Sequence, residues 1–76
     1  MPVTQEQLRK LLLDAGLAPE VVQRIDPDRP LVDQGVDSVD FPAFLAAIES
    51  QLKVTIGDNE AYALRTLRDF EARLNR

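Results

Sequence analysis

The chain has 76 residues, a net charge of −4, and neither histidine nor cysteine. This length predicts one domain. The missing residue types exclude disulfides, thiolate chemistry and a Ser-His-Asp arrangement within the chain, so we expect no catalytic residue and no enzymatic activity. The acidic residues Asp26 and Asp28 do not begin a calcium loop, because Leu31 stands where such a loop needs glycine, and we expect no metal site. The negative charge disfavours nucleic acid as a partner, and without a signal peptide or an apolar run long enough for a membrane span we expect a cytoplasmic protein.

The N-terminal segment predicts an amphipathic helix over residues 4–15. Thr4 is a suitable N-cap, and Gln7 completes a capping box. Leucines at helical spacing follow, and Gly16 is a natural C-terminal stop. Residues 17–25 then have room for a short helical turn with Pro19 at its first position.

Residues 26–37 predict a long irregular loop. Two prolines interrupt regular structure there, and Gly35 permits a positive φ. We expect Leu31 and Val32 to pin this loop to the core. A loop of this length in so small a domain is often functional.

The second main helix is predicted to run from Asp37-Ser38 to about Lys53. Its apolar residues recur at steps of three and four, and they are Phe41, Phe44, Leu45, Ile48 and Leu52. Pro42 falls in the first turn or just after it, where a missing N–H costs less than in a helix interior. We interpret the β-branched residues 54–56 as a packed loop, because a single strand would have no partner.

A short third helix is predicted from Asp58 to about Tyr62. Thr66 then caps the last helix, with Asp69 at the capping-box position. The core-facing residues of this last helix are Leu67, Phe70 and Leu74. The predicted fold is an all-α bundle of three main helices and one short helix, with a long loop between the first and second main helices.

The excess negative charge lies entirely in residues 26–40. Residues 1–25 hold three acids and three bases, and residues 41–76 hold five of each. The middle segment has one base, Arg29, and its five acids are Asp26, Asp28, Asp33, Asp37 and Asp40. Such a patch attracts basic partner surfaces, although a solvated loop that happens to be acidic is the simpler interpretation.

Ser38 lies where the long loop ends and the second helix begins. A helix N-terminus carries partial positive charge and free N–H groups, which suit a phosphodiester on an early serine. The carboxylates of Asp37 and Asp40 also offer a modifying enzyme an electrostatic contact. The structural alternative is that Asp37 or Ser38 is simply the N-cap of the helix, with Asp40 in its first turn.

Over most of its length the chain resembles the acyl carrier protein family. The resemblance rests on the amphipathic first helix, the long loop, the apolar second helix, the two closing helices and the stretch Leu31-Val32-Asp33-Gln34-Gly35-Val36-Asp37-Ser38-Val39-Asp40. The motif of that family is Asp-Ser-Leu, whose serine receives 4′-phosphopantetheine from coenzyme A; here it reads Asp37-Ser38-Val39. The resemblance implies that residues 1–76 form a single carrier domain with the arm on Ser38.

The resemblance also implies a role and partners. The protein would hold acyl or aminoacyl groups as thioesters on the arm, as in fatty acid or polyketide biosynthesis, and would act as a monomer. Its partners would be a phosphopantetheinyl transferase, a charging ligase or transferase, and downstream biosynthetic enzymes. The surface that they recognise would include Asp37, Val39, Asp40 and Asp33.

The second helix departs from the family pattern in an informative way. Val39 replaces the usual leucine, and Pro42 is unexpected. After Asp40 only Glu49 is acidic, whereas carriers of bacterial fatty acid synthesis typically have a strongly acidic second helix. We therefore expect a dedicated carrier for a specialised acyl or aminoacyl group. The alternatives are a carrier of general fatty acid synthesis and a small helical interaction module without a cofactor.

The aromatic residues of the second helix allow two interpretations. Phe41 and Phe44 either line a cavity that shelters an acyl chain or belong to the ordinary core. We favour the core for both, with Phe41 partly exposed because it follows Ser38 so closely.

Overall fold

The computed structural model describes residues 2–76, which fold into five α-helices and one short 3₁₀ helix. The elements are α1 (Gln5–Asp14), α2 (Pro19–Gln23), the 3₁₀ helix (Leu31–Gln34), α3 (Asp40–Leu52), α4 (Asp58–Ala63) and α5 (Leu67–Leu74). Residues 2–76 contain no β-strand, only an isolated bridge between Pro30 and Thr66. The predicted all-α class is therefore confirmed. In this described part of the chain, no helix has the length and apolar character needed to cross a bilayer.

The ends of α1 follow their local signals. The Thr4 hydroxyl accepts a hydrogen bond from the Gln7 N–H at 3.2 Å, and the Gln7 side chain accepts one from the Thr4 N–H at 2.9 Å. Gly16 follows the helix with a φ of 108°, the left-handed conformation that commonly ends helices. The predicted capping box and stop are both confirmed.

A side chain of α1 holds α2 in place. As predicted, α2 begins at Pro19. The Arg9 guanidinium donates to the carbonyl oxygens of Val22 and Ile25, the latter at 2.9 Å. Arg9 therefore connects the two helices through carbonyl groups in and just beyond the last turn of α2.

The long loop is organised by Gln34 and by the 3₁₀ helix. The Gln34 amide accepts from the Asp26 N–H at 2.7 Å and donates to the carbonyls of Asp26 and Arg29, each at 3.0 Å. Leu31 is fully buried, but Val32 is 61% exposed. The prediction that both residues pin the loop is therefore wrong for Val32. Neighbouring residues of a 3₁₀ helix point about 120° apart, so only one of this pair faces the core.

The regular part of α3 begins at Asp40, and a turn that includes Ser38 joins it to the predicted start at Asp37-Ser38. The N–H of Phe41 donates to the carbonyl of Asp37 at 3.0 Å, which is a helical hydrogen bond. The next bond of the series is absent because Pro42 has no N–H to donate to the carbonyl of Ser38. Ser38 consequently lies in a turn that leads into the helix.

The segment between α3 and α4 is a packed loop, as predicted. Ile56 is buried, and its N–H donates to the Glu49 carboxylate at 2.9 Å. α4 itself buries no residue completely, and an ion pair between Glu60 and Arg73 connects it to α5. This short helix is therefore the element with the weakest hold on the core.

α5 begins with the predicted capping box. The Thr66 hydroxyl accepts from the Asp69 N–H at 3.0 Å, and the Asp69 carboxylate accepts from the Thr66 N–H at 3.2 Å. Leu67 and Phe70 are fully buried, and Leu74 is half-buried. The predicted core-facing stripe of this helix is confirmed.

The core is built around α1, which packs against α2, α3 and α5. Phe44 of α3 and Phe70 of α5 are both fully buried, and their rings meet edge to face with centroids 5.0 Å apart. Phe41 is half-buried, and its ring lies 5.9 Å from that of Phe70. The core assignment is confirmed for Phe44, and Phe41 is partly exposed as expected.

Candidate functional site

Ser38 is exposed on the turn between the 3₁₀ helix and α3. Among residues 2–76 its hydroxyl takes part in no hydrogen bond, because the hydrogen bonds at this helix start are made by its neighbours. The other serine of the chain, Ser50, is also exposed but lies within regular α-helix. The hydroxyl of Ser38 is therefore available to an approaching reagent.

Asp37 caps the start of α3. One oxygen of its carboxylate accepts from the N–H groups of Val39 and Asp40 at 2.8 and 2.9 Å. The carboxylate of Asp40 in turn lies 3.5 Å from the N–H of Asp37. The bond from the Asp40 N–H is the larger of the causes that lower the pKa of Asp37, and the bond from the Val39 N–H adds to it. The sequence leaves the cap open between Asp37 and Ser38, and the structure assigns it to Asp37.

This cap has two consequences for Ser38. First, the Ser38 hydroxyl does not cap the helix, because Asp37 accepts the hydrogen bonds from the first N–H groups. However, the N–H groups of Val39 and Asp40 are already occupied, so the expectation that free N–H groups here suit a phosphodiester is wrong for these two donors. A phosphodiester on Ser38 would instead lie close to the carboxylates of Asp37 and Asp40.

The predicted recognition residues all lie near Ser38 in sequence and all reach the surface. Asp33 and Asp37 are exposed, and Asp40 is half-buried. Val39 has 76% of its surface exposed, a high value for an apolar side chain. The turn therefore presents an apolar side chain next to the serine, with carboxylates around it.

The acidic segment is partly neutralised by α5. Asp28 forms an ion pair with Arg68, and the hydrogen bond from this arginine lowers the pKa of the Asp28 carboxyl. Asp26 accepts a hydrogen bond from the Asp28 N–H at 2.9 Å, which forms a local turn. The negative charge left for partners is thus concentrated toward Ser38.

An apolar groove of about 250 Å³ lies between α3 and α4. It is lined by Val32, Phe41, Ala61, Tyr62, Leu64 and Arg65, and we call it the α3–α4 groove. A second depression of about 310 Å³ shares three of these residues and extends the groove toward Pro42 and Leu45. Tyr62 stands at its edge with 84% of its surface exposed.

The sequence gives almost no sign of this groove. Tyr62 and Arg65 are not singled out by spacing or motif, and Val32 is expected in the core. An aromatic residue outside the apolar stripe of a short helix is the single hint that Tyr62 is exposed. The groove depends on how α4 lies beside α3, which local patterns do not specify.

The family described as "Phosphopantetheine attachment site" matches residues 6–74 of the chain. The chain belongs to the acyl carrier protein family. Over 52 residues this carrier is 42% identical to the acyl carrier protein MbtL of Mycolicibacterium paratuberculosis. The alignment covers 67% of the carrier and 58% of MbtL, so the carrier spans less than two thirds of that relative. No solved structure matches it.

Membership of this family implies a 4′-phosphopantetheine prosthetic group. The residues of the carrier fit such a group. A phosphodiester link needs an accessible hydroxyl that is not consumed by the fold, and Ser38 has one. Asp37 and Val39, on either side of Ser38 in the sequence, are both exposed, so the chain leaves space at this turn.

Proposed function

We propose that Ser38 carries the phosphopantetheine arm and that this carrier presents thioester-bound acyl or aminoacyl groups to partner enzymes. The observation that supports this most directly is the exposed Ser38 hydroxyl, which has no hydrogen-bond partner in residues 2–76 because Asp37 caps the helix. Serines at helix starts are usually caps, and this one is not.

Attachment requires one group transfer. The Ser38 oxygen forms a bond to the β-phosphorus of coenzyme A, the bond from that phosphorus to the bridging oxygen breaks, and 3′,5′-ADP leaves. The hydroxyl proton passes to a base of the transferase, since the carrier has no histidine to accept it. Once attached, the arm supplies the thiol that forms the thioester, which the cysteine-free chain itself lacks.

The role proposed for the protein part is presentation rather than catalysis. A flexible arm keeps the thioester at a high effective concentration near each partner active site. Asp33, Asp37 and Asp40 favour encounters with basic surfaces of the transferase, the charging enzyme and downstream enzymes, with docking that weakens as salt rises.

The exposed face of α3 supports a dedicated carrier over one for general fatty acid synthesis. Ala46 and Ser50 are exposed on it and uncharged. The remaining acid of the helix, Glu49, is engaged by the N–H of Ile56. Beyond its first turn, α3 therefore offers little negative charge to a basic partner.

The extent and location of the domain remain predictions. One hydrophobic core joins buried residues from Leu8 to Phe70, which supports residues 1–76 as a single carrier domain. The monomeric state and the cytoplasmic location are likewise expectations from the sequence.

Intact-mass measurement tests the attachment site. The protein is incubated with coenzyme A and a transferase of broad specificity, and we expect it to gain the mass of one phosphopantetheine. Ser38→Ala should abolish the gain, whereas Ser50→Ala, which changes the other serine, should leave it intact. If the wild-type chain gains no mass under conditions that modify a known carrier, the proposal fails and the interaction module without a cofactor takes its place.

A further inference from the structure

The basic residues of the chain are mostly arginines. Of the nine, Lys10 and Lys53 are lysines and the other seven are arginines. A guanidinium keeps its proton at physiological pH, whereas a lysine amine loses its proton readily enough to act as a nucleophile. The chain also has no cysteine and no histidine. The two lysines are therefore its nucleophilic side-chain nitrogens.

The fold places both lysines at the end of α3 that lies farthest from Ser38. Lys53 directly follows the last residue of α3 and is exposed. Lys10 of α1 is also exposed and lines a surface depression together with Gln51 and Leu52, the last two residues of α3. α3 has 13 residues, so at a rise of about 1.5 Å per residue its axis is roughly 20 Å long. Ser38 precedes the opposite end of this helix.

The length of α3 is comparable to the full reach of a phosphopantetheine arm. From the serine oxygen to the sulfur the arm has roughly 14 bonds, about as many as five residues of backbone, so it spans about 16 Å when fully extended. A nearly straight arm that lies along α3 is needed to bring a thioester close to these amines, and flexible chains seldom adopt such conformations. The effective concentration of each amine at the thioester is therefore low.

The cations on the segments around Ser38 are arginines. Arg29 is the one base of residues 26–40, and Arg65 lines the α3–α4 groove together with Phe41. A lysine at either position would carry the same charge, but it would also bring a nucleophilic amine to this part of the surface. The choice of arginine keeps the positive charge and omits the nucleophile.

We propose that α3 separates the thioester of the loaded carrier from the amines of the chain, so that the carrier does not acylate itself. This inference rests on the proposed attachment at Ser38. In the reaction that is avoided, a lysine nitrogen bonds to the thioester carbonyl carbon, the bond from that carbon to sulfur breaks, and the amine proton passes to the leaving thiolate. The product is a stable amide. A carrier protected in this way suits acyl groups with electrophilic thioesters that must pass between separate enzymes.

The experiment loads the carrier with an acetyl group and measures whether that group moves to nitrogen. A transferase of broad specificity attaches the acetylated arm directly from acetyl coenzyme A. The loaded protein is kept at about pH 9, where an appreciable fraction of lysine amine is unprotonated. Hydroxylamine then removes acetyl groups held as thioesters but not those held as amides. Acetyl that remains in the intact mass therefore reports transfer to an amine, and peptide mapping gives its position.

Two exposed positions on α3 provide a scale of distance. Ala46 and Ser50 lie roughly 12 and 18 Å from Ser38 along the helix axis, at about 1.5 Å per residue. We expect Ala46→Lys to accumulate hydroxylamine-resistant acetyl about tenfold faster than wild type, and Ser50→Lys to stay within about twofold of wild type. Ala46→Arg adds the same charge without a nucleophile and should match the wild type.

The outcomes distinguish this inference from the proposed attachment. If no acetylated arm is attached, the attachment at Ser38 is wrong and this inference falls with it. If the arm is attached but wild type acetylates Lys10 or Lys53 as fast as Ala46→Lys forms its amide, the separation by α3 is overturned. Equal resistant fractions in Ala46→Lys and Ala46→Arg overturn it as well. The wild-type measurement needs no substitution, so it tests the inference even if a variant folds poorly.

Discussion

At the scale of single residues, the carboxylate of Asp37 has both a structural and an electrostatic effect. Its carboxylate caps α3 and also lies beside the proposed attachment site. A change to lysine at this position would therefore alter the cap and the charge together, and slower modification could not be assigned to either one. Asparagine separates the two, because it is as good an N-cap as aspartate but is neutral.

We predict that Asp37→Asn slows modification by the transferase while the denaturant midpoint changes little. Asp37→Ala removes both cap and charge, so it should slow modification and also lower the midpoint. Transferase kinetics at low salt and urea unfolding followed by circular dichroism measure the two effects. Equal transfer rates for wild type and Asp37→Asn would remove the charge of Asp37 from the recognition argument.

Two glycines with left-handed backbone form a matched pair. Gly16 and Gly35 have φ values of 108° and 101°. A Cβ added at Gly16 meets nothing within 4 Å, whereas one at Gly35 lies 3.3 Å from a methyl group of Val21. We predict that Gly16→Ala costs about 1 kcal/mol of unfolding free energy through backbone strain alone. Gly35→Ala should cost more, and urea unfolding that ranks the two in the opposite order would contradict this.

At the scale of helices, α4 differs from the others. It is six residues long, buries none of them completely, and is connected to α5 by the ion pair of Glu60 and Arg73. The hydrogen bond from Arg73 is the main cause that lowers the pKa of Glu60. Elements with few buried contacts open locally at little cost. Since α4 also forms one wall of the α3–α4 groove, its opening would reshape that groove.

We predict that Glu60→Gln loosens α4 without unfolding the domain. Backbone amides of residues 58–63 should exchange with deuterium faster in this variant, while amides of α1 and α5 keep their protection. Glu71→Gln is the control, because it removes a charge of α5 that lies outside the ion pair. Uniformly faster exchange along the whole chain would instead show that the pair supports global stability.

At the scale of the whole molecule, the ionisable groups make the free energy of unfolding depend on pH in the acid range but not near neutrality. The pKa values of Asp28, Asp37 and Glu60 are all lowered in the fold, by hydrogen bonds from Arg68, from the Asp40 N–H and from Arg73 respectively. A carboxyl with a lowered pKa stabilises the fold above its unfolded pKa, and that contribution is lost as the pH falls through the folded value. The chain has no histidine to titrate near neutrality.

We therefore predict a urea midpoint that is nearly constant from about pH 8 to pH 5.5 and falls below about pH 4, the usual range of carboxyl pKa values. All three carboxyls are at the surface, so salt should weaken the dependence. Unfolding curves across this range at two salt concentrations provide the measurement. A midpoint that rises on acidification would show that like-charge repulsion among the aspartates outweighs these hydrogen bonds.

Most of the fold follows from local patterns in the sequence. The capping boxes of Thr4 and Thr66, the stop at Gly16 and the helix start at Pro19 each involve residues within one turn of each other. Such signals act whatever the rest of the chain does, so they place helix ends correctly. At the start of α3 the local signals act less sharply, because Pro42 has no N–H to donate to the carbonyl of Ser38 and the first turn is irregular.

The candidate site was predictable only in part. The motif around Ser38 and the surrounding aspartates are contiguous, so the sequence alone identifies the segment and, through the family, its cofactor. The exposure of Val32 does not follow from the sequence, because it depends on which side of the 3₁₀ helix meets the core. Tyr62 and Arg65 are not predictable from local patterns, because they come from the end of α4 and from the loop after it, more than 20 residues from Ser38.

The sequence by itself thus determined the all-α class, the caps, the acidic segment and the serine, because each depends on neighbours along the chain. Tertiary structure decided that Asp37 rather than Ser38 caps α3, that Asp28 is neutralised by Arg68, and that α4 completes an apolar groove. The ion pair and the groove depend on contacts between distant segments. The cap depends on which of two adjacent side chains, Asp37 or Ser38, turns toward the helix. The backbone path of the whole loop sets that choice.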